Sequence, residues 1–181
     1  FPTRRSSDLE RIASNIGSAG DVDVLPAGQV GEMTGYAGIV IGGPMILGWH
    51  RKARKFYKKH RAELAGLPVH VFMTAMRVTD ADDTAEVVID PGITVPPANS
   101  NKLSRKESFT TVGHYVKPFT GKGARKQPAS IAIFGGKLDY TKLKLIQMLF
   151  VMLVIGESPG DKRNWELIEK WAGSLQFRSR T

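Results

Sequence analysis

The sequence predicts an α/β protein, a parallel β-sheet covered by helices on both faces. Residues 39–41, 69–75 and 130–134 are short apolar runs rich in β-branched residues, and two of them run into glycine pairs, Gly42-Gly43 and Gly135-Gly136. The run over 69–75 is almost continuously apolar, as a strand is when both of its faces are covered. Helical periodicity follows the first and the last of these runs, and strand, loop and helix in that order are the repeating unit of a parallel sheet. At 181 residues the chain is long enough for one domain with a sizeable core.

In chain order, residues 1–8, F-P-T-R-R-S-S-D, lack an initiator Met. They resemble a translated adapter scar, or else a disordered basic tail, and are set aside as a leader. The domain is expected over 9–176, with 177–181 as a basic tail. Residues 9–16 have helical spacing, with Ser7 or Asp8 available as a cap and Gly17 and Gly20 as stops. Residues 22–25 alternate and predict a half-exposed strand ending at Pro26. After the strand at 39–41, the chain breaks at Gly42-Gly43-Pro44, passes Gly48 and enters a basic helix over 49–65. Gly66 and Pro68 close that helix. Residues 77–127 are irregular, with an acidic turn at Asp80, Asp82 and Asp83, a proline-rich loop, a short helix over 109–116 and a basic loop over 121–126. An apolar helix over 138–155 and an amphipathic helix over 164–172 follow the strand that begins at Ser130.

The formal net charge is +9, from 26 Lys and Arg against 17 Asp and Glu. Such a surplus favours an anionic partner without choosing among nucleic acid, membrane and acidic protein. There is no cysteine, which excludes disulfides, thiol nucleophiles and cysteine-ligated metals. The four histidines show no metal-ligand spacing, so no metal site is expected. No Ser-His-Asp set, carboxylate pair or P-loop is present, and no catalytic residue is assigned. The apolar run over 145–155 is too short to cross a bilayer. It reads either as a helix buried on the sheet or as an apolar surface for membrane or quinone. The basic helix reads as a solvated face or as an anionic-membrane surface. A nucleic-acid reading is disfavoured, because no aromatic stacking platform accompanies the charge.

The junctions I-V-I-G-G-P-M-I-L-G-W, V-F-M-T-A-M-R and I-A-I-F-G-G-K-L-D, closed by D-x-x-N-W-E-x-I-x-x-W-A, resemble those of flavodoxin-domain proteins. The nearest resemblance is to the bacterial menaquinone-dependent protoporphyrinogen oxidases of heme biosynthesis. The resemblance covers the chain from Leu9 onward and implies a flavodoxin-like three-layer sandwich with strand order 2-1-3-4-5 and FMN at the carboxyl ends of the strands. It also implies that the family's first strand and phosphate loop are missing here, which would leave a gap at the sheet centre and put FMN binding in question. Of the phosphate loop, Ser6 and Ser7 would remain. For the flavin ring the resemblance implies Gly43, Pro44, Met45, Ile46, Gly48 and Trp49 on one side and Thr74, Ala75 and Met76 on the other. Ordinary turn chemistry is the competing reading for Gly43, Pro44 and Gly48, and helix packing for Trp49. The activity implied is oxidation of protoporphyrinogen IX with a quinone acceptor. The alternatives are an electron-transfer module serving a redox partner protein, and a basic anion-binding domain without flavin. The expected location is cytoplasmic, with peripheral contact at the inner face of the plasma membrane.

Overall fold

A computed structural model describes residues 7–16, 21–45, 49–76, 78, 87–89, 107–120, 127–138 and 160–178. In chain order the elements are α1 (Ser7–Ile16), β1 (Ile39–Pro44), α2 (Arg51–Lys59), α3 (Arg61–Leu64), β2 (Val69–Ala75) and β3 (Val87–Ile89). A 3-10 turn (Glu107–Thr110), α4 (Val112–Thr120), β4 (Ser130–Gly135), β5 (Lys137–Leu138), β6 (Gly160–Asp161) and α5 (Trp165–Ser174) follow.

The main sheet has the order β1-β2-β4-β3. β1, β2 and β4 are parallel, in a register that aligns Ile41 with Val71 and Val71 with Ile131. β3 adds to the far edge in the antiparallel sense. Alternate side chains divide into two cores, as the pleat requires. On one face Ile41, Val71, Met73, Ile131 and Ile133 meet Ala53, Phe56, Leu64, Val116 and Phe119 from α2, α3 and α4. On the other, Phe72, Ala132 and Phe134 meet Ile12 and Ile16 of α1 and Ile168, Trp171 and Ala172 of α5. The sheet is therefore covered on both sides, and the three predicted parallel strands stand in the predicted sequence.

Two glycines are fixed by close packing. A side-chain carbon on Gly42 would collide with the edge of the Phe72 ring, and one on Gly135 would collide with the backbone carbonyl of Lys162. Gly135 thus lets the segment before α5 cross the end of β4.

Several expectations are corrected. Residues 22–25 form no strand: they run without regular structure, and Val22 and Leu25 are exposed. They pair with no strand among the described residues, and period-two patterning alone does not make a ladder. Among the described residues β1 is an edge of the sheet. The helix expected over 49–65 bends at His60 into α2 and α3. His60 leaves helical geometry at φ −97° and ψ 22°, while its ring packs on Phe56 and pairs with Glu63 at 3.0 Å. α1 begins at Ser7, two residues ahead of the expected start. The helix expected over 109–116 is a 3-10 turn followed by α4, which continues through Pro118. β3 lies in the region read as irregular. α5 matches its expectation, with Asn164 Oδ1 accepting the Leu167 N–H at 3.2 Å as an N-cap. The expected apolar helix over 138–155 lies almost wholly outside the described residues, as do the loops over 91–101 and 121–126. Among the described residues no helix is long and apolar enough to cross a membrane.

At the amino ends of the strands, the chain after α5 folds back over the sheet. His70 Nε2 lies 3.0 Å from the Gln176 carbonyl and Nδ1 lies 2.9 Å from Ser130 Oγ. A carbonyl can only accept, so Nε2 carries the proton and Ser130 donates to Nδ1. Phe177 packs edge-on against His70, and the Arg178 N–H donates to the Ala37 carbonyl at 3.0 Å.

Two predictions follow from this packing. Gly135→Ala should destabilise the fold by about 1–3 kcal/mol through overpacking, whereas Gly113→Ala, with open space around it in α4, should stabilise by up to about 1 kcal/mol; denaturant midpoints check both. Burial lowers the His70 pKa below its ordinary 6.5, outweighing the opposing pull of the Gln176 carbonyl. A histidine lowered by folding contributes stability above its unfolded pKa and loses it as pH falls through the folded value. The urea midpoint should therefore fall below pH 6.5. The fall should be shallower in His70→Gln, without vanishing, because burial lowers His114 as well.

Candidate functional site

The carboxyl ends of β1, β2 and β4 lie side by side, and hydrogen bonds fix their heights. The Met45 N–H donates to the Thr74 carbonyl at 2.8 Å, and the Gly136 N–H donates to the Ala75 carbonyl at 2.8 Å. These bonds continue the ladder past the last strand residues and form one ledge from Pro44-Met45, through Thr74 to Met76, to Gly136. Pro44 is exposed, Thr74 and Met76 are half-buried, and Met45 is buried.

Of the residues expected at a flavin ring, the structure thus brings Pro44, Met45, Thr74, Ala75 and Met76 together. The Thr74 and Ala75 carbonyls already accept bonds across the ledge. Gly43 is placed differently from the expectation. A side chain there would meet His50 Cβ at 3.1 Å and Trp49 Nε1 at 3.7 Å, so its bareness serves the approach of α2. Trp49 is 5% exposed, and its ring stacks edge-on against Phe119 at 4.7 Å and Tyr57 at 6.1 Å. That is a packing position, yet its buried Nε1 has no acceptor among the described residues. Ser6, Ile46 and Gly48 lie outside the described residues, and Ser7 opens α1.

The segment that crosses Gly135 adds residues that sequence reasoning missed. The Lys162 N–H donates to the Gly136 carbonyl at 3.0 Å, and its Nζ donates to the Met76 carbonyl at 3.0 Å. Asp161 binds Arg163 Nε at 2.7 Å and faces Lys137 Nζ at 3.7 Å. The Arg163 guanidinium lies 4.5 Å from the centre of the Trp165 ring, and that of Arg11 lies 5.1 Å from it, both within cation–π range. The available signal was D-K-R directly before the N-W-E helix start, together with the bare position at Gly135.

On the α2 side, Arg51 and Lys52 occupy the first helical turn, and His50 caps it with no side-chain hydrogen bond. Uncapped N–H groups and adjacent cations both favour an anion. Apolar side chains, an unsatisfied indole N–H and flanking cations suit an aromatic ligand that carries negative charge. The ring half of FMN fits this donor set; for the phosphate half the expected Ser6 lies outside the described residues. No cluster of His, Asp or Glu that could hold a metal ion occurs among the described residues.

Arg163 holds the Asp161 carboxyl down at about 2 by hydrogen bonding, ahead of the smaller pull of Lys137. A carboxylate lowered by folding contributes stability above its unfolded pKa and loses it as pH falls through the folded value. Asp161 should therefore stay ionised down to pH 3, and its share of stability should fade between about pH 4 and about pH 2. The carboxyl carbon shift in an NMR titration checks this; a midpoint near 4 contradicts the pairing.

A sequence model of the flavodoxin domain matches residues 8–164. No curated protein and no solved structure gives a significant match.

Proposed function

The chain belongs to the flavodoxin-domain family, and on that premise we propose that it is an FMN-binding redox domain whose ligand lies on the ledge at the carboxyl ends of β1, β2 and β4. The observation that carries this reading is the ledge itself. Three parallel strand ends are levelled by the Met45–Thr74 and Gly136–Ala75 bonds, at the end of the sheet where open α/β folds place ligands.

When bound, FMN supplies one- or two-electron transfer; the protein supplies position, environment and access. Pro44 and Met76 offer an apolar surface to one edge of a planar ring, with Met45 buried beneath them. Trp49 Nε1 offers a donor in a desolvated setting, where an unmet hydrogen bond costs about 1–3 kcal/mol until an acceptor arrives. Lys162, held against the Met76 carbonyl, places positive charge beside the ledge, which raises the local concentration of an anion.

As a finer proposal, the substrate is protoporphyrinogen IX and the electron acceptor a quinone. Support comes from the resemblance of the three strand-to-loop junctions to that group of oxidases. The basic charge agrees, since simple flavodoxin carriers are usually acidic.

The test is titration of FMN into the protein, read by flavin fluorescence. Saturable binding is expected, weakened roughly tenfold or more in Lys162→Gln, a charged hydrogen bond being worth about 1.5–3 kcal/mol. No binding by the folded chain would refute the flavin assignment and leave a basic anion-binding domain. The loaded protein is then mixed anaerobically with protoporphyrinogen IX and menaquinone. Growth of porphyrin fluorescence supports the finer proposal. A flat trace, with electrons passing only to a redox protein, replaces it with electron transfer between proteins.

A further inference from the structure

α2 carries Arg51, Lys52, Arg54, Lys55, Lys58 and Lys59 within nine residues, and all six are exposed. At 3.6 residues per turn they fall on one continuous arc of the helix, opposite the buried Ala53 and Phe56. Arg61 extends the arc onto α3. None of these cations has an acidic partner among the described residues. The one carboxylate nearby in the chain, Glu63, is held by His60.

A helix built only for its own stability would not look like this. Like charges at i and i+4, as in Arg51 with Lys55 and Lys55 with Lys59, repel. Cations in the first turn oppose the helix dipole, and α2 has no acidic residue there. An external anionic surface would remove both penalties.

The chemistry of the arc narrows the partner. The exposed large apolar residues among those described are Val22, Leu25, Tyr36 and Phe109, none of them on α2 or α3. A durable protein interface needs an apolar or aromatic centre, and single-stranded nucleic acid needs stacking platforms. Neither is present. A layer of mobile anionic headgroups needs neither, because it can rearrange around a convex row of long basic side chains. We propose that the exposed arc of α2 and Arg61 docks this domain onto an anionic phospholipid bilayer by electrostatics, without insertion. The proposal is independent of the flavin assignment.

The test is co-sedimentation of the full chain with phosphatidylcholine vesicles and with vesicles containing phosphatidylglycerol, over a range of salt. Binding is expected only to the anionic vesicles and should fade as salt screens it. Each neutralised cation should weaken partitioning roughly fivefold, so the Lys55→Gln, Lys58→Gln, Lys59→Gln triple variant should lose on the order of a hundredfold. Because these side chains are exposed, the variant should keep or raise its thermal midpoint, which is measured alongside. Failure of the wild-type chain to bind anionic vesicles at low salt overturns the proposal, as does equal binding by the triple variant. Preference for duplex DNA or polyglutamate over vesicles at matched anionic charge also overturns it, in favour of nucleic acid or an acidic protein.

Discussion

β2 has no solvent side. Both of its edges are in parallel ladders, and Val71, Phe72 and Met73 are almost completely shielded from water. A strand in that position cannot choose which face to bury, so helices must cover both. This accounts for α1 and α5 on one side and α2, α3 and α4 on the other. It also accounts for Gly42, since Phe72 extends over β1 and occupies the volume that a side chain there would need. Burial of this kind is worth about 25 cal/mol per Å² of apolar surface, and here it is concentrated in the strand that orders its neighbours.

The three parallel strands were legible because continuous apolar runs are rare outside buried strands, and because glycine pairs mark where two of the runs must stop or be crossed. α5 was legible because Asn164 announces its start and Ile168, Trp171 and Ala172 fall on one face. Other elements carried no such local mark. β3 is three residues long and gains its strand state only by pairing with Ala132 and its neighbours. The alternation over 22–25 had the reverse problem, a strand-like pattern that pairs with no strand among the described residues. The bend at His60 also left no mark, because the ring's contacts with Phe56 four residues before and Glu63 three residues after are the ones an unbroken helix would make.

The candidate site divides in the same way. Residues adjacent in sequence to a strand end, Pro44, Met45 and Thr74 to Met76, could be placed from the strand alone. Lys162 could not, because its position follows from a chain crossing made possible by Gly135, about 27 residues earlier. Gly43 shows the limit of reading glycines as ligand-facing: the bare position there admits a helix. Trp49 belongs to both readings, with its ring committed to packing and its N–H left over.

β1 differs from its neighbours in how firmly it is held. Among the described residues it pairs on one side only. Its amino end is nonetheless fastened, by the Arg178 N–H on Ala37 and by Phe177 against Gly38. In mechanical terms it is a beam pinned at both ends, at the root by Arg178 and just past the Gly43-Pro44 tip by the Met45 N–H on the Thr74 carbonyl. A load on the ledge is therefore carried into β2 and its packing, and the height of the ledge is set by the core beneath it.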